Sequence, residues 1–450
     1  MKKKLFLVGL IFSLMLFGGV FEAFAMSEQE LRIRALEEKL EALQPESANG
    51  NPFNAHGVKK QGTKKPYYYK KGFHFESEDG LFSTNLQFRG QLRFSNPGDG
   101  DPLEPADFTT DPETSNFELR RVRMKIGGHG YKPWVKYYFE IDLQPSKTFS
   151  SSSANASARI IDWRVDVQPW EEFGFRIGQW KINYNRERVD SSGRQQFVER
   201  SIVNSIFTID RQVGAMIKGR LNKGTPFDMR YYAGLFNGEG RASDNANDQM
   251  MKMVRLQWNL LGGDLKWRQS DVKRHEKPTL QIAGGWAGNK GPCTKWSSSG
   301  CGALKGFSVA STTSGTKFDI EQYVAELAYK YQGLSIQSEY HWKDIKDTES
   351  GVDYNLKGSY AQVGYFFNQL NKSIPEELEL AFRYAFVDEP DSSSLTQKNN
   401  REEFTVAANY FIAGHSNKVT VDYSYLTLDD ASDNRSYNDN RVRVQWDISF

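Results

Sequence analysis

The chain has 450 residues, of which 38% are hydrophobic, 25% charged and 14% aromatic, and its mean hydropathy is −0.63. Only the N-terminus carries a long apolar run, which excludes a helical membrane protein. The 30 Phe, 21 Tyr and 10 Trp residues argue against disorder. So many aromatic residues in so hydrophilic a chain are expected where alternate residues of a strand face lipid and water.

The N-terminus has the three parts of a secretory signal peptide. Three lysines follow Met1, residues 5–21 are apolar, and Ala23-Phe24-Ala25 has the small-x-small pattern of a cleavage site. A membrane anchor is the alternative, but this run of 17 residues is shorter than the roughly 20 that a helical span needs. We therefore predict a signal peptide at residues 1–25 and an exported protein.

Export decides how the charges and the cysteines are interpreted. Cleavage removes three lysines and one glutamate from the 58 basic and 56 acidic residues, which leaves 55 of each. This balance argues against a nucleic-acid-binding protein. Cys293 and Cys301 lie in a polar stretch and are a disulfide candidate that would close a short loop. A metal site would need more ligands than the sequence places nearby, so no metal is expected.

Two segments are predicted between the signal peptide and the main body of the chain. In residues 26–44, Ile33, Leu36, Leu40 and Leu43 follow a 3-4-3 spacing, which predicts a short coiled-coil helix. Barely two heptads are marginal alone, so the helix either assists oligomerisation or is a frayed linker helix. Residues 45–72 are polar and rich in Asn, Gly, Pro and Lys, which predicts a linker.

From residue 73 to residue 450, apolar and polar residues alternate, which is typical of β-strands. In residues 82–94, for example, Phe88 and Leu92 share one face while Arg89 and Arg93 share the other. Most such segments have 9–11 residues, the length of a tilted strand that crosses a bilayer. The pattern predicts sixteen strands, at residues 82–94, 117–127, 135–143, 159–168, 173–182, 212–221, 227–236, 252–260, 279–288, 321–331, 333–343, 358–367, 377–387, 402–412, 417–427 and 440–450.

The connections between these segments alternate in length. Every odd connection has at least twelve residues, whereas the even ones are mostly short. Long outer loops that alternate with short inner turns are typical of transmembrane barrels. The connection 261–278 is too long for an inner turn, which indicates a misplaced strand near residues 265–268.

A large soluble all-β protein would also alternate, because its apolar face packs against a second sheet. Here, however, the apolar faces are rich in aromatic residues and almost free of charge away from the strand ends. The chain also ends in a strand whose last residue is the aromatic Phe450. We therefore predict an all-β fold, a sixteen-stranded antiparallel transmembrane β-barrel at residues 73–450.

Several short motifs lie along the strands and their connections: Gly72-Phe73, Asp79-Gly80, and the segments at residues 117–124, 175–181, 197–201, 210–214 and 440–450. These motifs resemble those of the phosphate-selective porin O and P family of Gram-negative outer membranes. The similarity spans residues 70–450, with one departure: Ile182-Asn183 follow the Gly-Gln-x-Lys motif where the family often has Pro-Phe.

This resemblance implies an outer-membrane porin, usually a homotrimer, that passes anions and lies in lipid and lipopolysaccharide. It implies that Phe450 is the signal read by the outer-membrane insertion machinery. By the same resemblance, Arg89, Arg120 and Arg121 stand where the family has a ladder of basic residues. The third outer loop, residues 183–211, would fold inward as a constriction loop that carries Arg186, Arg188 and Arg194, and a solvated surface loop is the alternative.

The strand register predicts a basic lumen wall, because 17 basic and 11 acidic residues point inward. The excess lies in the first eight strands, whose inward acids are Glu140, Asp142, Asp162, Asp166 and Asp228. Arginine suits phosphate and carboxylate because its planar fork donates two hydrogen bonds at once. A wall of cross-strand ion pairs is the alternative to an anion track. The inward basic residues of these strands are Arg89, Arg93, Arg121, Arg123, Lys125, Lys136, Arg164, Arg176, Lys218, Arg220, Arg230 and Arg255.

These features predict passive diffusion of small anions, among them phosphate or other oxyanions, without a cofactor. The six histidines are scattered, and His341 beside Glu339 is the one expected to face the lumen at mid-barrel. No convergent nucleophile, base and acid are visible, so no catalytic residues are expected. The alternatives are a general, weakly selective porin and a structural barrel that sheaths another exported protein.

Overall fold

The computed structural model of the protein describes residues 66–97, 102–109, 115–144, 158–245, 247–308, 315–390 and 397–450. All of them belong to one compact unit, which begins at Pro66. The predicted signal peptide, the predicted coiled-coil helix at 26–44 and most of the predicted linker lie outside these residues. Within the described part of the chain, no helix has the length and apolar character that crossing a bilayer requires.

The predicted sixteen-stranded antiparallel barrel is confirmed. The barrel is closed, because the last strand pairs with the first from Val442 and Asn96 to Ser449 and Arg89. In chain order, the strands are β1 (Tyr67–Tyr69), β2 (Phe73–Glu76), β3 (Ser83–Asn96), β4 (Asn116–Gly130), β5 (Lys132–Asp142), β6 (Arg159–Val167), β7 (Gly174–Lys181), β8 (Arg211–Leu221), β9 (Met229–Phe236), β10 (Met251–Leu261), β11 (Thr279–Gly291), β12 (Lys295–Ser297), β13 (Gly300–Gly302), β14 (Phe318–Tyr331), β15 (Leu334–Asp347), β16 (Asp353–Tyr365), β17 (Leu378–Pro390), β18 (Lys398–Tyr410), β19 (Ile412–His415), β20 (Asn417–Asp430) and β21 (Arg435–Ser449).

Five of these strands lie outside the ring of sixteen. β1 and β2 form a hairpin, and β2 pairs with the start of β3, so residues 67–69 of the predicted linker belong to the sheet. β12 and β13 pair with each other, and the short β19 packs against β20. The helices are equally short: Pro105–Thr109, Arg186–Val189, Ile202–Phe207 and the 3-10 turn Phe367–Gln369.

Side chains alternate between the lumen and the outside of the barrel, as the period-two pattern predicts. In β3, Arg89, Gln91 and Arg93 point inward and are buried, whereas Leu92 points outward and is 43% exposed. The outward face carries many exposed aromatic residues, such as Trp163 and Phe175. Exposed apolar side chains in such a band require lipid as their surroundings.

The two ends of the barrel differ, as the alternation of connection lengths predicts. We call the end that carries the loop 182–210 the outer end, and the opposite end, where Tyr131 alone joins β4 to β5, the inner end. The expected length of at least twelve residues for every outer connection is wrong at residues 348–352, 391–397 and 431–434. There, strands of 13–15 residues continue their ladder of hydrogen bonds further than the apolar pattern indicates.

The expectation of a strand near residues 265–268 is also wrong. Residues 262–278 contain no strand and fold into the barrel from its inner end, where Leu265 is 3% exposed. The polar backbone of this inner connection finds partners among lumen side chains, so it needs no ladder of its own. This connection and the loop 182–210 together fill part of the interior.

Candidate functional site

The loop 182–210 crosses the lumen from β7 and β8 and binds the strands opposite. Its helix Arg186–Val189 begins beneath two wall carboxylates: the Arg186 N–H donates to Glu326 Oε1 at 3.1 Å, and the Glu187 N–H donates to Glu339 Oε1. The first backbone N–H groups of a helix need such partners, because no preceding turn supplies carbonyl acceptors for them. Side chains of the barrel wall therefore fix the position of this helix in the lumen.

The middle of the loop is fixed by the side chain of Gln196. Its amide nitrogen donates to Glu379 Oε1 at 2.8 Å and to Ser335 Oγ at 3.1 Å, and its amide oxygen accepts from Gln362 at 2.9 Å. Asn409 donates to the Gln196 backbone carbonyl at 2.8 Å. Four strands of the far wall thus hold one residue of the loop.

Apolar packing holds the rest of the loop near the outer end. The helix Ile202–Phe207 buries Val203 and Phe207 completely, against apolar side chains that point inward from the strands. The alternation assigned the inward face to polar residues, so this second apolar surface was not predicted. It includes Trp180, Phe236, Phe318, Ile320, Ile345, Leu356, Ala385 and Val387.

The inner connection 262–278 supports the loop from below. Gln269 accepts from the Gln196 N–H at 2.6 Å and donates to Gln195 at 2.8 Å. Arg268 pairs with Asp190, and the Arg186 guanidinium donates to the Lys266 carbonyl. The two segments form one body inside the barrel.

This body covers one side of the lumen and leaves the other open. Inward charged side chains on the covered side are 0–4% exposed: Arg255, Glu326, Arg383, Glu403, Asp422 and Arg443. On the side formed by β4 to β9, five inward basic side chains are 13–27% exposed: Arg121, Arg164, Arg176, Lys218 and Arg230. Three others on these strands are ion-paired and only 2–10% exposed: Arg123, Arg211 and Arg220. Water therefore reaches the wall on which the sequence concentrates basic residues.

Three cations of the open wall surround one carboxylate. Arg176 donates through Nε to Asp166 Oδ1 at 2.8 Å, and Lys218 donates to the same oxygen. Arg164 Nε lies 3.5 Å from Asp166 Oδ2, and its guanidinium also covers the ring of Tyr138 at 4.3 Å. In the described part of the chain, the terminal Nη groups of Arg164 and Arg176 have no protein partner. Asp166 therefore orients two guanidinium forks while their outer donors remain available to the lumen.

A second carboxylate with three cations lies nearer the outer end. Arg93, Arg120 and Arg121 converge on Glu199 of the loop, at 2.8, 3.0 and 3.8 Å. Burial alone would raise the pKa of the Glu199 carboxyl group, but the three guanidinium groups hold that pKa well below its usual range. The carboxylate therefore stays ionised at neutral pH.

A β-bulge makes this second cluster possible. Gln91 pairs with Arg121 but Leu92 pairs with Leu119, so Arg120 is the extra residue of β4. Both arginines then reach Glu199, although strict alternation would place only Arg121 inside. The sequence carries the signal, because the outward residues step by three from Leu119 to Val122 rather than by two.

Other predicted pore residues hold the structure together. Arg89 is 4% exposed and donates to Ser191 Oγ at 3.3 Å and Ser192 Oγ at 3.1 Å, so it holds the loop instead of facing the open side. Arg93 is equally buried and also donates to the Val198 carbonyl.

The remaining predicted residues divide between ion pairs and the open lumen. Arg123 binds Glu140 at 2.9 Å, and Arg220 forms an ion pair with Asp228 near the inner mouth. These are the cross-strand pairs of the alternative interpretation. Lys125 faces the lumen and, among the described residues, has no hydrogen-bond or ion-pair partner.

The arginines expected to narrow the pore divide between the docking of the loop and its own internal contacts. Arg186 is 1% exposed and bonds to Gln337 at 3.0 Å. Arg188 pairs with Asp210, and Arg194 is half-buried beside the Ser191 turn. Lys181, which the sequence did not single out, donates to the carbonyls of Arg188 and Asp190 at 3.3 Å each.

Two further predicted features lie on the covered side and at the outer end. His341 faces the lumen and stacks on Phe207 beneath the loop, and its Nε2 lies at hydrogen-bond distance, 3.0 Å, from Glu339 Oε2. Cys293 and Cys301 form a disulfide that brackets the β12–β13 hairpin. Trp296 of this hairpin is buried and donates to the Gly238 carbonyl at 2.6 Å.

Known structures share this architecture at low sequence identity. The loop L8 deletion mutant of OmpT of Vibrio cholerae has a TM-score of 0.51 at 11% identity, covering 82% of this chain and 99% of that one. OmpF of Salmonella typhi has a TM-score of 0.50 at 12% identity, covering 85% and 100%. The channel DcaP of Acinetobacter baumannii also reaches 0.50, at 13% identity, covering 84% and 99%. These likenesses show the barrel fold alone.

Sequence comparison is more specific. A protein of Aquifex aeolicus (strain VF5) is 23% identical over 373 residues, which cover 74% of this chain and 80% of that protein. Residues 96–450 match the family described as phosphate-selective porin O and P. The matched segment includes most of the barrel, the whole cluster around Asp166 and, of the cluster around Glu199, every member except Arg93. The chain therefore belongs to the phosphate-selective porin O and P family, and it is an outer-membrane porin.

Proposed function

We propose that the protein passes small anions, phosphate and other oxyanions among them, by passive diffusion along the wall formed by β4 to β9. The observation that carries this proposal is the position of the loop 182–210, which covers the far wall and leaves the basic wall in contact with water. Arg164 is 24% exposed there, whereas Arg255 on the covered side is fully buried.

The charge on the open wall favours anions over cations. Asp166 balances one of its three cationic neighbours, so the cluster keeps an excess of positive charge. A one-sided basic wall bounded by protein of low dielectric concentrates anions near it. The outer Nη donors of Arg164 and Arg176 match the oxygens of phosphate or carboxylate in spacing and direction.

Passage requires binding that is weak enough for release. The carboxylate within each cluster keeps anion binding weak, because it competes with a passing anion for the same cations. The family and the barrel support a channel rather than an enzyme. We propose that no chemical step accompanies transport.

The proposal is tested by measuring the ratio of chloride to potassium permeability in planar bilayers. The double variant Arg164→Gln and Arg176→Gln is expected to bring that ratio several-fold closer to one, since two uncompensated donors leave the open wall. Lys357→Gln removes a charge from the outward face of β16, where the side chain is 50% exposed, and should leave the ratio unchanged.

Two other outcomes separate the alternatives. A large conductance without ion preference in the wild type would indicate a general, weakly selective porin. No conductance from folded protein would indicate a structural barrel. An unchanged ratio of chloride to potassium permeability in the double variant would contradict an anion pathway along β4 to β9.

We further propose that the porin is a homotrimer in outer-membrane lipid and lipopolysaccharide, and that the insertion machinery reads Phe450. The backbone of Phe450 pairs with Phe88 at 2.7 and 3.0 Å, while the residue is 51% exposed at the barrel rim. Deleting Phe450 should therefore reduce the amount of inserted barrel in cells more than it destabilises purified protein. Light scattering of the detergent-solubilised porin measures the subunit number.

A further inference from the structure

Glu199 differs from the other acidic residues of the loop in its access to water. The side chains of Glu187, Asp190 and Asp210 are 0–1% exposed, and each is enclosed by protein. The side chain of Glu199 is 22% exposed, and those of its partners Arg120 and Arg121 are 20% and 13% exposed. A solute in the lumen can thus reach this carboxylate and the arginines that hold it.

The three arginines converge on a single oxygen, Oε1 of Glu199. Arg93 approaches it through Nη2 at 2.8 Å, Arg120 through Nε and Nη2 at 3.0 Å, and Arg121 through Nη2 at 3.8 Å. Guanidinium groups gathered around one carboxylate oxygen are the arrangement by which proteins bind oxyanions. We call Arg93, Arg120 and Arg121 the arginine cage.

One cage arginine, Arg93, donates to the Val198 carbonyl at 3.3 Å, but wall residues outside the cage also hold the backbone around Glu199. The Val198 N–H donates to Asp422 Oδ2 at 2.9 Å, and the Ile202 N–H donates to Glu403 Oε2 at 2.9 Å. The Glu199 carbonyl itself accepts from Arg383 at 3.1 Å. The Glu199 side chain can therefore leave the cage by rotation while the loop stays docked.

We propose that the arginine cage binds carboxylate groups of solutes and that the Glu199 carboxylate is its tethered competitor. The inference rests on the proposed anion pathway and names a solute class for it. A solute carboxylate takes the position of Glu199 Oε1, and the Glu199 side chain turns towards the water. Because the tethered carboxylate returns when the solute leaves, the cage releases its ligand readily, as conduction requires.

Succinate is a suitable probe because it carries two carboxylates and no other functional group. The full-length porin is placed in planar bilayers in potassium chloride, and succinate is titrated to find the concentration that halves the chloride current. In Glu199→Gln, this concentration is expected to fall about tenfold or more, since close charge pairs of this kind couple by more than the free energy of a tenfold change.

A matched control separates occupancy of the cage by the Glu199 carboxylate from the general electrostatic effect of one negative charge. Glu118 lies on β4, 3.5 Å from Arg93 and 3.7 Å from Arg120, so Glu118→Gln removes the same charge beside the cage without vacating it. A clearly smaller fall is expected in this variant. An equal fall of the half-blocking concentration in both variants would show that the removed charge alone causes the change, and this would overturn the inference.

The remaining outcomes are also decisive. An unchanged or higher half-blocking concentration in Glu199→Gln overturns the inference, including the case in which the loop undocks and potassium chloride conductance rises. The reversal potential of the wild type, recorded in the same membranes, reports on the anion pathway itself. Anion selectivity there, together with an unchanged block, would leave the proposed function standing and the cage without a role in solute binding.

Discussion

At the scale of single residues, lumen cations divide by what holds them. Arg89 and Arg186 have protein partners and little exposure, so they stabilise the loop. Arg176 donates to Asp166 through Nε, and Arg164 lies within ion-pair distance of the same carboxylate and over the Tyr138 ring. The outer Nη donors of both remain in the lumen. The alternation of strands predicts that Arg89, Arg164 and Arg176 face the lumen, but it contains no information about which of them a loop will cover.

Glu187 gives the docked loop a dependence on pH. Its carboxyl group accepts from the Ser201 N–H and hydroxyl at 2.8 and 2.9 Å. Burial raises the pKa of Glu187 to about 7, with Arg383 opposing and Glu339 adding to the rise. A raised pKa favours the protonated group in the docked loop, so docking is most stable below about pH 4.5 and loses stability as the pH rises through about 7.

We therefore expect brief changes of current level to become more frequent between pH 5 and pH 8, because ionised Glu187 weakens the docking of the loop. Single-channel recordings at both pH values measure this directly. Glu187→Gln should flatten the dependence, whereas Glu349→Gln, at an exposed outer turn, should retain it. A pH dependence that survives in Glu187→Gln would show that another group titrates.

At the scale of elements, the inner connection 262–278 shows where the sequence pattern misleads. This connection is too long for an inner turn, and its length indicates a misplaced strand near residues 265–268. In the structure, Trp267 packs inside the lumen beside Tyr232 and under the Arg255 guanidinium at 4.7 Å. The extra length of this connection folds into the lumen and bonds to side chains there, so it does not indicate a further strand.

Gln269 links this connection to the loop, and its removal should loosen both. Gln269→Ala is expected to raise single-channel conductance and current noise, because the backbone of Gln196 and the side chain of Gln195 lose their partner. Lys273→Ala, an exposed position on the same connection, is the control and should behave as the wild type. Identical conductance in both variants would mean that the loop is held without support from below.

At the scale of the whole molecule, the sixteen strands were predictable because each one carries its own alternation. The position of the loop against the far wall was not predictable. Gln196 donates a hydrogen bond to Glu379 across 183 residues of chain, and no local pattern encodes that pairing. The asymmetry of the lumen follows from this long-range docking. The excess of basic residues in the first eight strands of the ring bears on the proposed selectivity because six of those strands, β4 to β9, form the open side.

The proposed anion pathway determines the sign of the ion selectivity. The most direct test is the reversal potential of the wild-type porin in a planar bilayer with a potassium chloride gradient. We predict a potential displaced towards the chloride equilibrium value, because the open wall of the lumen carries the uncompensated guanidinium donors. A potential of zero, or one displaced towards the potassium equilibrium value, would contradict the anion pathway.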